Sequence, residues 1–73
     1  MITFRNDTEL TLVTDFDEKT DTITGDEVIL CKANELIDAD IVSLAGDFVD
    51  LQFGYKGGVA FGVQRACFDV VTN

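Results

Sequence analysis

Carboxylates are the side chains of this chain that are most concentrated and most able to do chemistry. Six of them fall within thirteen positions, opposed there by Lys19 alone: Asp15, Asp17, Glu18, Asp21, Asp26 and Glu27. Neighbouring carboxylates can act as general acid and base, hold a divalent cation, or attract a basic protein surface. Each of these chemistries makes a different demand on the rest of the sequence.

Acid–base catalysis is disfavoured by the residue types that are missing. The chain contains no histidine, the commonest general base, and Ser43 is its one serine, so Ser-His-Asp and Cys-His arrangements are excluded. Asp15 and Asp17 alternate along a strand pattern and would lie about 7 Å apart. A chain of 73 residues, however, offers little room for a sugar-binding cleft beside them. The sequence therefore predicts a protein that is not an enzyme.

The spacing of the acids also differs from that of a calcium loop. Counted from Asp15, the fifth, sixth and twelfth positions are Lys19, Thr20 and Asp26, where an EF-hand needs an oxygen ligand, glycine and glutamate. No helical pattern flanks the segment. We expect a solvated acidic surface with no metal and no cofactor; a weak, irregular Ca²⁺ or Mg²⁺ site is the lesser alternative.

The net charge of the chain limits its partners. Fourteen acidic residues against five basic ones give a formal charge of −9, and the phosphate backbone that dominates nucleic-acid affinity would repel such a surface. Tyr55, Lys56 and Phe61 could stack on bases as aromatic residues of OB-folds do, but a turn with one aromatic residue at its base explains them more simply. The sequence predicts no direct contact with nucleic acid.

The elements that carry these side chains follow a period of two residues almost throughout. Ile2 and Phe4 alternate with polar residues, a second alternating segment covers 9–17, and a third apolar segment covers 27–32. Such alternation is typical of strands with one buried face. Because the chain has no proline and no apolar period of helical length, we predict an all-β barrel or sandwich of about five to six antiparallel strands.

The clearest element is a hairpin in the middle of the chain. Segments 39–44 and 48–53 flank the polar tip Ala45-Gly46-Asp47, and short tips that contain glycine are typical of hairpins. Segment 64–67 predicts one turn of 3₁₀ or α-helix before a closing strand. The apolar strand positions predict the core: Phe4, Leu10, Leu12, Val28, Leu30, Ile41, Val49, Leu51, Phe53, Phe61 and Val63.

Three segments together resemble an SH3-like small barrel: 25–30, which begins Gly-Asp-Glu-Val, the hairpin around Gly46-Asp47, and the ending 63–71. Barrels of this kind often open with a Gly-Asp-x-Val strand, carry a tight central hairpin and close through a 3₁₀ turn. The resemblance covers residues 25–71 and implies an SH3-like barrel with an added N-terminal hairpin. Segment 28–31 is apolar on both faces, which predicts a strand covered on both sides, as in a closed barrel.

Length and composition predict one small domain, residues 1–73, in which 47% hydrophobic residues supply a packed interior. Cys31 and Cys67 belong to no C-x-x-C pair; we expect two buried thiols, with a structural disulfide as the lesser alternative. The apolar runs are too short for a membrane span, and the first five residues lack signal-peptide features. We therefore expect no membrane contact and a cytoplasmic location, that of the host if the protein is viral.

These features leave two main hypotheses for function. In the first, the acidic cluster docks on a basic, nucleic-acid-binding surface of a larger protein. In its small size and acidity the chain resembles phage-encoded accessory or inhibitor proteins. In the second, the protein is a structural component that forms homo-oligomers through strand edges. The simplest alternative to both is an acidic surface that only keeps a small barrel soluble.

Overall fold

The computed structural model describes residues 1–72, whose regular elements are seven strands and two 3₁₀ turns. The strands are β1 (Ile2–Phe4), β2 (Thr8–Asp17), β3 (Thr22–Cys31), β4 (Ala39–Ala45), β5 (Phe48–Phe53), β6 (Val59–Gln64) and β7 (Phe68–Val70). The 3₁₀ turns Tyr55–Gly57 and Arg65–Cys67 precede β6 and β7. Among residues 1–72 no helix is long and apolar enough to cross a membrane. The prediction of an all-β fold is confirmed.

The strands form two antiparallel sheets. Five strands lie in the order β3-β2-β6-β5-β4, and β1 pairs with β7 in the second sheet. Within the larger sheet, the β2–β3 hairpin contacts the β4–β5–β6 meander through one paired position, Val13 opposite Val59. Backbone hydrogen bonds between Ile2 and Ile37 join β1 to the loop that connects β3 and β4. These pairings arrange the described part of the chain as two sheets and do not close it into a single barrel.

One hydrophobic core unites the two sheets. The rings of Phe4 in β1 and Phe68 in β7 lie 5.7 Å apart, tilted by 58°, a favourable geometry for aromatic pairs. The predicted core positions in β1, β2, β5 and the end of β6 are buried, and Leu10 and Ile41 pack at the edge of the core. The buried apolar residues are Ile2, Phe4, Leu12, Cys31, Ala39, Val49, Leu51, Phe53, Ala60, Val63 and Phe68.

The prediction that Val28 and Leu30 lie in the core is wrong. Both belong to β3, which is an edge strand of the five-stranded sheet, and their side chains are 60% and 55% exposed. The intervening Ile29 and the following Cys31 face the core instead. Because the outer face of β3 is open to solvent, its apolar run is not covered on both sides.

The prediction that Phe61 lies in the core is also wrong, because this residue follows the buried Ala60 at a β-bulge of β6. Where β5 advances by two residues, β6 advances by three, from Ala60 to Val63. Gly62 adopts a φ of 68° at this point, in the left-handed region that glycine enters without steric cost. The extra residue keeps Ala60 and Val63 in the core and leaves Phe61 on the surface.

Matched leucine truncations distinguish core positions from surface positions. Leu51→Ala removes a side chain with no solvent exposure and should lower the free energy of unfolding by about 2–5 kcal/mol. Leu44→Ala makes the same change at a side chain that is 68% exposed, and should lower it by less than about 1 kcal/mol. Urea denaturation of both variants measures the difference. Similar losses in the two variants would show that the core is assigned incorrectly.

Candidate protein-interaction surface

The β2–β3 hairpin carries all six acidic residues of the predicted cluster. Its pairing continues as far as Asp17 opposite Thr22, so the chain reverses within the four residues 18–21. Asp21 adopts a φ of 53° in this turn, a conformation that aspartate tolerates better than most residues. The acids therefore lie on the distal half of a long hairpin and on its tip.

Five of the six acids stand clear of the core, and we call them the hairpin acids: Asp15, Asp17, Glu18, Asp21 and Asp26. Asp17 is half-buried and the others are exposed. Two of them shape the hairpin locally, because an Asp15 carboxylate oxygen accepts a hydrogen bond from the Phe16 N–H (3.1 Å) and an Asp17 oxygen accepts one from the Lys19 N–H (2.9 Å). An amide side chain could accept the same bonds, so these contacts do not require the negative charge.

The basic residues of the described chain form their ion pairs away from the hairpin acids. The salt bridges within residues 1–72 are Arg5–Asp69 at 2.7 Å, Lys32–Asp7 at 3.7 Å and Lys56–Glu27 at 3.2 Å. The hairpin acids therefore take part in none of these salt bridges, and Lys19 in the turn is the single basic residue among them.

Glu27 is placed differently from the other five acids. It lies opposite the buried Leu12 in the β2–β3 register and thus points to the inner side of the sheet. Its carboxylate accepts a hydrogen bond from the Tyr55 hydroxyl at 3.1 Å and lies 3.2 Å from Lys56 Nζ. This side chain attaches the Tyr55–Gly57 turn to β3, and it is less open to a partner than Asp26.

The acids do not converge on a metal site. Within residues 1–72, no group of three or more His, Cys, Asp or Glu side chains is arranged so that it could hold a metal ion. The arrangement suits an extended contact with a partner surface.

A shallow apolar groove of about 530 Å³ lies beside the acidic hairpin. Its lining residues are Val13, Thr14, Asp15, Phe16, Ile23, Val59 and Phe61. Phe16 and Ile23 are cross-strand partners, 46% and 52% exposed. Exposed apolar surface of this kind, bordered by polar residues, marks interaction sites in soluble proteins.

The groove exists because the hairpin diverges from β6 and because β2 is irregular. Backbone pairing between these strands is limited to the Val13–Val59 position, and register shifts follow on either side of Asp15. Gly25 lies opposite this bulge, where a Cβ atom would approach within 3.1 Å of the Asp15 Cβ. The shifts turn Phe16 outward, whereas strict alternation predicts that it shares the face of Leu12.

Acidic residues border this groove. Asp15 lines it directly, and Asp26 lies opposite Val13 in the β2–β3 register. Val13 in turn pairs with Val59, and Val59 pairs with Gln52, so these residues lie side by side on one face of the sheet. The sequence identified the acids but not the apolar floor beside them; Gly25 and Gly62 were the available signals for the bulges beside Phe16 and Phe61.

The two cysteines are free thiols in different environments. Cys31 is buried in the core, where burial, and secondarily the charge of Glu35, raises the pKa of its thiol. Cys67 is exposed in the 3₁₀ turn before β7, so the expectation that both thiols are buried is wrong for this residue. Its Sγ lies 3.5 Å from the Gln64 side-chain oxygen.

Comparison of the chain with protein-family models, with curated protein sequences and with solved structures found no match. Functional inference therefore depends on the geometry of the surface itself.

Thiol labelling tests the difference between the two cysteines. With N-ethylmaleimide near neutral pH, Cys67 should react rapidly, and the labelling rate of Cys31 should be lower by about a hundredfold or more. Burial disfavours the reactive thiolate of Cys31 and blocks the approach of the reagent. Mass spectrometry of timed samples identifies the modified residue. A Cys67→Ser variant should lose the fast phase of labelling. Its remaining thiol, Cys31, should be labelled rapidly only after urea unfolds the protein. Equal rates at the two sites in the folded protein would contradict the placement of Cys31.

Proposed function

We propose that this protein is a non-enzymatic acidic interaction module that docks on the basic surface of a larger protein. The observation that carries the proposal is the position of the hairpin acids, which outnumber the neighbouring Lys19 five to one and form none of the described salt bridges, beside an exposed apolar groove. Solubility can account for the net charge, but it does not account for aromatic side chains exposed next to that charge.

The two parts of the surface make different contributions to binding. Charges at the rim of an interface mainly accelerate encounter and select partners of opposite sign. Burial of apolar area favours the complex, and affinity is what remains after the entropic and desolvation costs of association. A fitting partner presents an aliphatic or aromatic side chain to Phe16, Ile23 and Phe61, with lysine or arginine residues on either side of it.

We propose further that the protein competes with nucleic acid for the same surface of its partner. A nucleic-acid-binding surface is rich in lysine and arginine, and the hairpin acids offer it a row of carboxylates on an exposed strand and turn. A phage-type accessory or inhibitor protein acting in the host cytoplasm would have these properties. Nucleic acid added in excess should then release the partner.

An SH3-like arrangement of the strands is a further part of the proposal. It is supported by the pairing of β1 with β7, by the consecutive β4–β5–β6 meander, and by the Arg65–Cys67 3₁₀ turn directly before the last strand. In this interpretation the barrel segment begins within β3, at Gly25, and β2 is an added N-terminal strand that pairs with it.

Charge neutralisation at the hairpin tests the electrostatic part. The variant with Asp15→Asn, Asp17→Asn, Glu18→Gln and Asp21→Asn keeps the local hydrogen-bond acceptors while it removes four charges. Its on-rate for a partner recovered from native-host lysate at low salt should fall about tenfold or more, and its salt dependence should flatten, because steering is lost. Stopped-flow or surface binding across a salt series measures both quantities.

The matched control removes four charges elsewhere, through Glu9→Gln, Glu35→Gln, Asp40→Asn and Asp47→Asn. These side chains are exposed, and the control has the same net charge as the hairpin variant. Its on-rate should stay within about threefold of wild type if the position of the charge matters. Equal losses in both variants would mean that only net charge acts and that the hairpin is not the docking surface.

Removal of an aromatic side chain from the groove tests the apolar contribution to binding. Phe61→Ser should raise the off-rate about tenfold or more with little change in on-rate, since apolar contacts act after encounter. Folding should be retained because Phe61 is a surface residue. Leu44→Ser, an equally exposed position on β4, is the control. An unchanged off-rate for Phe61→Ser would exclude the groove from the interface.

A further inference from the structure

The outer edge of β3 is a regular strand edge with an open backbone. From Asp26 to Cys31 its register with β2 is uninterrupted, and β3 ends the five-stranded sheet. The backbone hydrogen bonds that connect loops and turns within residues 1–72 do not involve segment 26–31. An edge of this kind exposes unpaired N–H and C=O groups to any strand that fits beside it.

The side chains of this edge are complementary to themselves when the strand is reversed. Four alternate residues are exposed: Asp26, Val28, Leu30 and Lys32. Reversal about Ile29 sets position 26 opposite position 32, and position 28 opposite position 30. An acid then meets a base, and one exposed apolar side chain meets another.

We propose that two copies of this chain pair antiparallel through β3, about a two-fold axis at Ile29. Val28 of each copy packs on Leu30 of the other, and Asp26 of each copy pairs with Lys32 of the other, in place of the long 3.7 Å contact between Lys32 and Asp7 of its own copy. The interface is isologous and closes on itself, and it joins the two five-stranded sheets into one continuous sheet. Each cross-strand pair is of a type that stabilises antiparallel sheets.

The other edge strand of the sheet does not offer the same fit. β4 has a register shift between Ile41 and Ser43, and such bulges interrupt edge pairing. Reversal about Val42 sets Asp40 opposite Leu44, an acid against an apolar residue. The complementarity therefore selects β3.

This interface is independent of the proposed docking function. The hairpin tip and the groove floor are not part of it, and Asp26 alone belongs to both surfaces. The two also respond to salt in opposite directions. Two copies that each carry a charge of −9 repel each other, so screening favours their association, whereas it weakens docking on a basic partner.

Sedimentation velocity over a wide concentration range in physiological salt tests the proposal. Wild type should show a concentration-dependent monomer–dimer equilibrium. Asp26→Lys and Lys32→Asp should each weaken dimerisation about tenfold or more, because both symmetry-related pairs become like-charged. The variant that carries both changes should return to within about threefold of wild type, because reversal of both partners restores the pairs.

A second set of variants tests the apolar contact. Val28→Lys should weaken dimerisation, while Val42→Lys, a matched change at an exposed position of β4, should leave it unchanged. Thermal melts establish that each variant is folded. A wild type that stays monomeric, an open-ended polymer, or a double reversal that fails to restore association would overturn the β3 interface. Intact docking on-rates in such a case would leave the proposed function standing.

Discussion

The close approach of β2 and β6 is the contact on which the rest of the structure depends. Val13 and Val59 form the one paired position between the N-terminal hairpin and the meander. Beside it, Leu12 is fully buried, and a Cβ atom on Gly58 would lie 2.9 Å from the Leu12 Cβ. Glycine is therefore needed for the strands to meet. Before this point β2 joins the core, and beyond it the hairpin diverges and opens the groove.

The distribution of charge follows from the same division. Arg5 donates two hydrogen bonds to Asp69, at 2.7 and 3.2 Å, and these bonds hold the pKa of Asp69 below its ordinary value. That pair is exposed and adds little stability, but it uses a scarce cation at the β1–β7 sheet. Lys32 and Lys56 are paired in the same way elsewhere. The described salt bridges consequently leave the hairpin acids unpaired.

Many large apolar side chains of this small domain lie on its surface and not in its core. Burial is concentrated in one cluster of mostly medium-sized residues, and the outer faces of β3 and β6 stay open. A chain of this length has too little mass to cover every sheet face. The uncovered faces are what makes both proposed interfaces physically available, one for a basic partner and one for a second copy.

The sequence by itself determined the all-β class, the β4–β5 hairpin and the 3₁₀ turn before β7. Alternation with period two and glycine-containing tips are local signals, and they depend only on the geometry of the strand and of the turn. The sequence also identified the acidic cluster, because charge is a property of composition, but it did not predict that Thr22–Cys31 forms one strand paired with β2. The buried face of β5 was predicted correctly for the same reason, since Val49, Leu51 and Phe53 alternate without interruption.

The tertiary structure alone decided which apolar residues are covered. Val28 and Leu30 have the same local pattern as core residues, but β3 lies at a sheet edge, and strand order is a long-range property that no local window contains. The bulges beside Asp15 and at Gly62 shift the alternation by one residue, and such a shift moves every later side chain to the other face. The first bulge thus turned Phe16 away from the face of Leu12, and the second turned Val63 inward while Phe61 stayed on the surface beside the buried Ala60. The groove beside the acids could therefore be found only in three dimensions.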